Sequence, residues 1–392
     1  MNATARRSLL GGAVALSLLM AACGSDSNSS SDTTAAAETT AAGAETTAAG
    51  AATTAGEPAT TGAEAPDLSK LSATLNASGA TFPQAFYEDQ IAAFKEAASG
   101  VTINYGGGGS GKGRQDLADQ VVDWAGSDGV IKPEDLPKFK GGDVLYFPTV
   151  LAPITLSYKL DGVDKLQLTP AVVAKIFQRQ ITNWNDPAIA ADNPDAKLPD
   201  QAITVAVRAD GSGTTENFTK FLDAAVGTGG DGTWTLKSGS TVQWPADVQA
   251  GQGNSGVAQI ISSTPGAIGY VDLSDAKAAN LQFANVQNKA GKFIEPTLEA
   301  TSAAAENIEV KPDLTFFTGW ADGDASYPIA AQTWILAYKN QTDKAKGEAT
   351  KAWINYVLTD GQDAANAIDF AQLPDTLKEK AIAQLDQLVI PS

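Results

Sequence analysis

The chain has 392 residues, with no histidine, one cysteine and a formal charge of -18. These counts exclude a Ser-His-Asp or Cys-His catalytic apparatus, a histidine-ligated metal site and a disulfide within the chain. Acidity of this degree, with no basic stripe, also argues against a nucleic-acid-binding protein.

The N-terminus has the features of an export signal. Two arginines at 6–7 precede an apolar stretch at 9–20, which leads into a small-small-Cys pattern ending at Cys23. This pattern resembles a bacterial lipobox, although Met20 replaces the commoner leucine. We expect a lipoprotein signal peptide at 1–22 and lipidation of Cys23. The alternatives are an ordinary signal peptide and, because of the paired arginines, twin-arginine rather than Sec export.

Residues 23–66 form a low-complexity segment of Ala, Thr, Gly, Ser and Glu. The heptapeptide AETTAAG occurs twice in tandem, at 37–43 and 44–50. Such a segment has too little apolar surface to offset the entropy of ordering it, so we expect a disordered tether. With a lipid at Cys23, this tether would hold a domain on a membrane surface. Glycosylation of its threonines stays open.

From residue 67 the composition is that of a globular protein, long enough for two lobes. Apolar runs typical of strands alternate with helical patterns, which predicts an α/β fold with mostly parallel sheets flanked by helices. The expected strands lie at 101–105, 150–160, 203–207, 267–271 and 333–338, and the expected helices at 83–98, 114–122 and 217–225.

Two turns in the first part of this region are suited to anion binding. The sequence GATFP at 79–83 places Thr81 and Phe82 at the entrance to the first helix. The glycine-rich stretch at 106–113 follows a strand and contains Ser110. A helix start presents unpaired backbone N–H groups, and the helix dipole favours an anion there.

A third turn, RADGSGTT at 208–215, follows a strand and opens a helical pattern. Arg208 adds a fork of donors suited to a tetrahedral oxyanion, and the Ser and Thr hydroxyls add more. A short strand at 123–127 ends at Asp128. Because ligands of open α/β sheets bind beyond the carboxyl ends of strands, we expect these elements to share one site.

Each motif also has a more ordinary interpretation. Thr81 taken by itself is typical of a helix cap, and a glycine run is typical of a loop or hinge. The stretch at 106–113 nearly spells a phosphate-binding P-loop, but Gly113 stands where the Mg²⁺-binding hydroxyl is required. Ser274 and Lys277 match an S-x-x-K pattern that no second motif supports.

Taken together, the motifs resemble the phosphate-binding lipoproteins of the bacterial high-affinity phosphate ABC importer, a type II periplasmic-binding-protein family. The matching stretches are GATFP at 79–83, VDWAGSD at 122–128, FPT at 147–149, ITNW at 181–184, RADGSGT at 208–214, GSTVQWP at 239–245, PGAIGY at 265–270 and LPD at 373–375. They occur in order and cover nearly the whole globular part. The resemblance implies a two-lobed flytrap fold with phosphate in the cleft.

Carried over motif by motif, the resemblance implies a phosphate-binding set of many donors and one acceptor. Asp128 would accept a proton from the ligand, and Arg208, oriented by Asp210, would pair with it. The implied donors are Thr81, Phe82, Ser110, Ser212, Gly213 and Thr214. The glycine loop departs from the family pattern by its extra glycines and by Lys112, which either reaches the ligand or is solvated.

For the lobes we expect lobe I at 67–150 and 269–392 and lobe II at 151–268, with crossings near 147–152 and 266–273. The resemblance implies a monomer that is not an enzyme, uses no metal or cofactor, binds no nucleic acid and is lipid-anchored on the outer face of the cytoplasmic membrane. Its partners would be inorganic phosphate and the permease and ATPase subunits of an importer.

Three other functions remain as alternatives. The first is a receptor for another tetrahedral oxyanion. The second is a phosphoryl-transfer enzyme with Ser110 or Asp128 as nucleophile, against which the absence of histidine counts. The third is an adhesion or signalling module that retains phosphate binding without transport.

Overall fold

The computed structural model describes residues 67–227, 233–306 and 308–392. The predicted signal peptide, the lipidation of Cys23 and the tether at 23–66 lie outside these residues. None of the helices within the described ranges has both the length and the apolar character that a membrane crossing requires.

Strands and helices alternate along the described chain. The strands are β1 (Ala73–Gly79), β2 (Val101–Gly108), β3 (Trp124–Ser127), β4 (Val144–Tyr158), β5 (Gln167–Leu168), β6 (Thr204–Arg208), β7 (Gln249–Gly251), β8 (Ala267–Asp272), β9 (Gln282–Phe283), β10 (Asn285–Gln287), β11 (Phe293–Ile294) and β12 (Ala330–Tyr338). The helices are α1 (Gln84–Ala97), α2 (Ser110–Ala118), α3 (Pro170–Phe177), α4 (Pro187–Asp192), α5 (Gly213–Val226), α6 (Gly253–Ser263), α7 (Leu273–Ala278), α8 (Leu298–Ala305), α9 (Lys344–Leu358), α10 (Asp360–Ala365) and α11 (Asp375–Gln384). Short 3₁₀ turns occur at Leu68–Lys70, Leu136–Lys138, Asn366–Ile368 and Leu385–Gln387.

The main sheet has the strand order β2-β1-β3-β12-β4-β8-β6-β7, and β9 pairs with β4 beside it. β2, β1 and β3 run parallel to each other, as do β8, β6 and β7, whereas β12 and β4 are antiparallel to their neighbours. A smaller sheet joins β11, β10 and β5. The predicted α/β fold class is confirmed.

β4 is shared by two halves of the main sheet. Val144 to Pro153 pair with β12, and Ile154 to Tyr158 pair with β8. We call β2, β1, β3, β12 and the start of β4 the first half, and the end of β4 with β8, β9, β6 and β7 the second half. The chain therefore passes from the first half to the second between Pro153 and Ile154.

The chain returns to the first half of the sheet after β9. The expected crossing near 266–273 falls on β8, which pairs with β4 and β6 in the second half, and β9 also stays there. The chain re-enters the first half at β12, next to the bond from Ile154 N to Ile329 O of 2.9 Å. The expected lobe boundary near 266–273 stays a prediction, and the strand order of the sheet depends on long-range pairing.

The sequence also placed the start of β4 too late. The strand was expected from residue 150, but it begins at Val144 and passes through Pro148. Proline is normally a signal against a central strand because it lacks the N–H that a ladder needs. Here the pairing of β12 with β4 shifts register between Gln332 and Trp334, and Pro148 lies opposite Trp334.

The predicted glycine loop at 106–113 is reduced to one residue. β2 extends to Gly108 and α2 begins at Ser110, so Gly109 alone joins them. The φ angles of Gly108 and Gly109 are 109° and 89°, a region that side chains with a Cβ rarely adopt. These glycines let the strand turn into the helix within one residue and place Ser110 in the first helical turn.

Aromatic pairs support the elements that carry polar residues at the strand ends. In the first half, Tyr105 stacks on Trp124 with ring centroids 5.2 Å apart, and its hydroxyl donates to Ala80 O over 2.6 Å. In the second half, Phe218 of α5 stacks on Tyr270 of β8 at 4.6 Å. The two pairs fix the end of β1 and the start of α5 relative to the sheet.

We predict that the shared strand dominates stability. Leu156 on β4 is fully buried, so Leu156→Ala should lower the free energy of unfolding by about 2–5 kcal/mol through lost burial and a residual cavity. Val389, which is 54% exposed, serves as control, and Val389→Ala should stay within about 0.5 kcal/mol of the parent. Urea denaturation measures both; equal effects would contradict the prediction.

Candidate functional site

The residues that the sequence singled out meet at the carboxyl ends of the parallel strands. Thr81 follows β1, Ser110 follows β2 and Asp128 follows β3 in the first half, whereas Arg208 ends β6 in the second half. The antiparallel β12 and β4 separate the two parallel sets in strand order. The loops from both halves nevertheless contact one another, as the distances below show.

Arg208 is buried and fully oriented by protein groups. Its side chain is 1% exposed and that of Asp210 8%. Arg208 Nε donates to Asp210 Oδ1 over 2.9 Å, and Nη2 donates to Oδ2. Nη1 donates to Asn254 Oδ1 over 2.9 Å and to Thr214 Oγ1 over 3.3 Å. These bonds fix the guanidinium plane and leave one N–H, on Nη2, for another acceptor.

The first turn of α5 directs several donors into the same region. Ser212 is the N-cap, and its hydroxyl accepts from Thr215 N over 3.1 Å. Gly213 and Thr214 open the helix, where the helix itself supplies no acceptor for the N–H groups. The Thr214 hydroxyl accepts from Arg208, so its own proton is free to point elsewhere. The Ser212 hydroxyl likewise accepts, so both hydroxyls keep a proton that can be donated to a ligand.

Asp128 is a buried carboxyl group, 1% exposed, that hydroxyl groups contact on both oxygens. Thr333 Oγ1 donates to Oδ1 over 2.7 Å, and Ser110 Oγ donates to Oδ2 over 3.1 Å. Burial raises the pKa of Asp128 to about 7, while the bonds from Thr333 and Ser110 and then the charges of Arg208 and Arg114 oppose the rise. This carboxyl group can therefore change its protonation near neutral pH.

α5 also holds the backbone around Asp128. Asn217 Nδ2 donates to Asp128 O over 2.7 Å, and Gln332 Nε2 donates to Asn217 Oδ1 over 2.9 Å. Beside them, Arg114 Nη2 lies 3.8 Å from Glu216 Oε2. A helix of the second half thus bonds to the loop that carries Asp128 in the first half.

Glycines allow the two halves to approach at backbone distance. Gly111 N donates to Gly211 O over 2.7 Å. A Cβ on Gly213 would lie 2.5 Å from Ser110 Oγ and 2.6 Å from Asp128 Oδ2, closer than real Cβ contacts. The start of α5 can therefore lie against Asp128 only because residue 213 has no side chain.

Thr81 does not cap α1, which was its ordinary interpretation. The N-cap is Pro83, with no side-chain capping bond. Instead, Thr81 Oγ1 accepts from Asn254 N over 3.2 Å, across the two halves. Phe82 beside it is buried, with its ring 6.4 Å from that of Phe370. The geometry places Thr81 at the same group of loops as Arg208.

Lys112 is engaged within its own helix. Its ammonium group contacts the carboxylate of Asp116, one turn further along α2, and its side chain is 53% exposed. Ser78 Oγ donates to the same Asp116 oxygen over 2.6 Å. Of the two possibilities for Lys112, the structure therefore places it in an exposed ion pair.

The S-x-x-K pattern does not form a catalytic pair. Ser274 Oγ donates to Asp272 Oδ1 over 2.6 Å, whereas Lys277 contacts Asp369. Over the described ranges, no group of His, Cys, Asp and Glu residues is arranged to hold a metal ion. The chemistry of the chain therefore concentrates at the strand ends around Asp128 and Arg208.

Sequence reasoning missed four side chains that complete this region: Asn217, Asn254, Gln332 and Thr333. Asn254 follows β7 in the sequence GQGNSG at 251–256, another strand-turn-helix pattern that could have revealed it. Thr333 was predicted only as a strand residue. Its contact with Asp128 arises where β12 shifts register, which the sequence does not display.

The arrangement has a definite chemical preference. Hydroxyls, helix-start N–H groups and one guanidinium N–H supply donors, and Asp128 is an acceptor among them. Such a set suits a small oxyanion, because N–H dipoles and a helix start stabilise negative charge. An acceptor among so many donors favours an oxyanion that itself carries a proton.

The chain matches the family model described as PBP superfamily domain over residues 28–361. The phosphate-binding protein PstS of Pasteurella multocida is 36% identical over 326 residues, covering 81% of this chain and 91% of the relative. That of Methanocaldococcus jannaschii is 35% identical over 313 residues, covering 74% and 79%. PstS 3 of Mycobacterium tuberculosis is 32% identical over 319 residues, covering 78% and 84%.

Solved structures share the fold. A DING protein superposes with a TM-score of 0.65 at 23% identity, over 79% of this chain and 94% of that one. The phosphate-binding protein from Stenotrophomonas maltophilia gives 0.63 at 21% identity, over 79% and 93%. At such identities the likeness establishes the fold, a periplasmic-binding-protein-like architecture.

The close contact at Gly213 generates a prediction about packing. Gly213→Ala should lower the free energy of unfolding by about 1–3 kcal/mol, because the new methyl group overlaps Ser110 and Asp128. Gly239 has no heavy atom within 3.4 Å of its Cβ position, so Gly239→Ala should stay within about 0.5 kcal/mol. Thermal or urea unfolding compares the two; a Gly213→Ala protein as stable as the control would rule out the tight approach.

Proposed function

The chain belongs to the family of PstS phosphate-binding proteins within the PBP superfamily, and we propose that it is an extracytoplasmic receptor that binds inorganic phosphate selectively and delivers it to an ABC importer. The observation that carries this proposal is the buried acceptor Asp128 within a ring of donors. Chloride and sulfate carry no proton, so an acceptor at that position could form no hydrogen bond with either of them.

In this proposal the donors lie on both halves. Thr81, Phe82 and Ser110 contribute from the loops after β1 and β2. Ser212, Gly213 and Thr214 contribute from the start of α5, and Arg208, with Asp210 behind it, contributes the free N–H of Nη2. The hydroxyls of Thr81, Ser212 and Thr214 already accept bonds from protein N–H groups, so their protons are available to the ligand.

Ser110 and Asp128 exchange partners when the ligand enters. Ser110 Oγ donates to Asp128 Oδ2 over 3.1 Å and accepts from Asp128 N over 3.1 Å. Rotation of the Ser110 hydroxyl lets it donate to a phosphate oxygen instead. Asp128 Oδ2 is then free to accept the proton that phosphate carries, while Thr333 stays on Oδ1. No polar atom is left without a partner in this exchange.

This exchange explains selectivity against sulfate. Phosphate keeps at least one proton at neutral pH, whereas sulfate has the same shape and charge but no proton. A sulfate oxygen would meet the lone pairs of ionised Asp128, and both groups would lose a hydrogen bond. By analogy with other sites that require a hydroxyl, the ionised form of Asp128 can discriminate by roughly 10⁴-fold, and the protonated fraction limits the observed ratio near the pKa of about 7.

Closure of two lobes around the ligand is part of the proposal. The bonds from Gly111 N to Gly211 O and from Asn254 N to Thr81 Oγ1 join the halves beside the site. A ligand contacting both halves would favour this arrangement over an open one, and the importer's membrane subunits would recognise the closed form. The two lobes correspond to the first and second halves of the sheet.

We further propose that the protein is a monomer without enzymatic activity. A phosphoryl-transfer enzyme would need Ser110 or Asp128 as nucleophile, but the histidine-free sequence offers no imidazole base for Ser110. Asp128 is hydrogen-bonded on both oxygens. A lipid on Cys23 and the tether at 23–66 would hold the receptor on the outer face of the cytoplasmic membrane, next to permease and ATPase subunits.

Titration of residues 67–392 with phosphate and then sulfate tests the function, after bound ligand has been removed by partial unfolding and dialysis. Calorimetry and tryptophan fluorescence should give one-to-one phosphate binding and a negligible sulfate response. Equal binding of both would leave a general oxyanion receptor. If the protein bound neither anion, the assignment as the receptor of a phosphate importer would be wrong. Release of phosphate from a simple ester would favour the alternative of a phosphoryl-transfer enzyme.

Substitution of the acceptor tests the proton account. Asp128→Asn replaces an acceptor with a group whose NH₂ donates to either anion. At about pH 9, where a carboxyl group with a pKa of about 7 is about 99% ionised, we therefore expect the phosphate-to-sulfate affinity ratio to fall by about 10²-fold. Asp192 is half-buried and accepts from Thr169 N at a distance from the site. Asp192→Asn should leave the ratio unchanged. An Asp128→Asn protein that still rejects sulfate would refute the role of Asp128.

The raised pKa of Asp128 predicts that selectivity depends on pH. Below about pH 7 the group gains a proton and becomes a donor, so sulfate binding should strengthen as pH falls. With a pKa near 7, the protonated fraction, and hence sulfate affinity, should rise about tenfold from roughly pH 8 to pH 6. Sulfate titrations across this range measure it, with Asp128→Asn giving a flat profile. A flat profile in the parent would contradict the mechanism.

A further inference from the structure

A fifth strand end, that of β7, supplies a residue that contacts both halves of the site. Asn254 follows β7 at the start of α6 and is fully buried. Its backbone N donates to Thr81 Oγ1 over 3.2 Å, its Oδ1 accepts from Arg208 Nη1 over 2.9 Å, and its Nδ2 donates to Asp272 Oδ2 over 2.8 Å. One residue thereby joins a first-half hydroxyl, the buried guanidinium and a buried carboxyl group.

The orientation of the Asn254 amide follows from its two neighbours. A guanidinium only donates, so the amide oxygen must face Arg208. The other neighbour, Asp272, caps α7 by accepting from Asp275 N over 3.0 Å on Oδ1. Its Oδ2 is thereby available to the amide NH₂. The reversed amide would set donor against donor at Arg208, so Asp272 and Arg208 together define one orientation.

This amide completes the fixation of Arg208. Asp210 holds the edge formed by Nε and Nη2, and Gly253 N, beside Asn254, donates to Asp210 Oδ1 over 3.1 Å. Asn254 accepts the shorter of the two bonds from the remaining nitrogen, Nη1, and Thr214 accepts the longer one. Without Asn254 only the 3.3 Å bond to Thr214 would hold Nη1, so the free N–H of Arg208 would be less well directed.

The backbone of Asn254 acts on the opposite half. A threonine hydroxyl has one proton and accepts on its lone pairs. Because Asn254 N occupies a lone pair of Thr81 Oγ1, the proton of Thr81 must point to another acceptor. This bond forms only when the loop after β7 reaches the loop after β1, so it reports the approach of the two halves.

We infer that Asn254 is a positioning residue of the phosphate site, which orients Arg208 through its amide oxygen and, through its backbone N–H, sets Thr81 as a donor when the halves meet. This inference rests on the proposed phosphate-binding function and extends it to a residue outside the ligand-contacting set. Asp272 is the group that holds the amide in place.

The first test compares two buried asparagines in the full chain as it is exported. Asn254→Ala should weaken phosphate binding about 10- to 100-fold, the usual effect of losing a hydrogen bond to a charged group. Asn193 is also buried, and its amide bonds to Gln167 and Ile189 away from the site. Asn193→Ala should lose comparable stability in urea without a change in the phosphate dissociation constant.

A second variant separates orientation from stability, and it applies even if Asn254→Ala folds poorly. Asn254→Asp places a second carboxyl group opposite that of Asp272 and should lower the urea concentration at the midpoint of unfolding. Adding Asp272→Asn exchanges the two groups and lets an amide donate to a carboxylate again, so the midpoint should recover. Phosphate affinity should remain at least about tenfold below the parent, because a carboxylate now faces Arg208 and competes with the anion for it.

The outcomes distinguish the inference from the function on which it rests. If the parent chain binds no phosphate, the proposed function fails. If the parent binds phosphate and either Asn254→Ala or the double variant binds it equally well, the function stands and the positioning role is overturned. Weakened phosphate binding by both variants, with an unchanged phosphate dissociation constant in the Asn193→Ala protein, supports the positioning role.

Discussion

The site depends on the buried pair of Arg208 and Asp210. A guanidinium that is 1% exposed would be costly to bury without a partner, and the bidentate carboxylate offsets most of its charge. In the proposed site an anion would therefore be held mainly by N–H and O–H dipoles rather than by net positive charge. This arrangement explains how a protein with a formal charge of -18 can hold an anion. Dipoles act at contact distance, whereas the surface charge is screened beyond about 8 Å.

The same pair explains why glycines surround it. A Cβ on Gly109 would lie 2.1 Å from Asp210 Oδ2, and one on Gly213 would meet Ser110 and Asp128. Each glycine lets backbone from one half reach a polar side chain of the other, which brings N–H groups within bonding distance. The glycine-rich turns are therefore needed for packing between the halves, and their φ angles are only part of the reason for them.

Local chemistry made much of this protein predictable. The fold class and the strand ends at Ser110, Asp128 and Arg208 follow from local patterns, because parallel strands end at one edge of a sheet. Two helix starts were expected too late, since α2 begins at Ser110 and not at 114, and α5 at Gly213 and not at 217. Features that depend on long-range pairing were missed. The passage of β4 through Pro148 and the contact of Thr333 with Asp128 are set by which strands meet and in what register.

Burial of Asp128 has opposite effects on the proposed selectivity against sulfate and on the stability of the fold at neutral pH. With a pKa near 7 when folded and about 3.9 when unfolded, Asp128 binds a proton more tightly in the folded chain. Its contribution to the free energy of unfolding is therefore full below about pH 4 and is lost as pH rises to about 7. At neutral pH and above, the fold carries an ionised carboxylate that burial disfavours. In the proposed exchange the proton of the ligand replaces the Ser110 bond on Oδ2. A protonated anion would therefore keep the buried carboxylate hydrogen-bonded, and its binding would stabilise the folded chain.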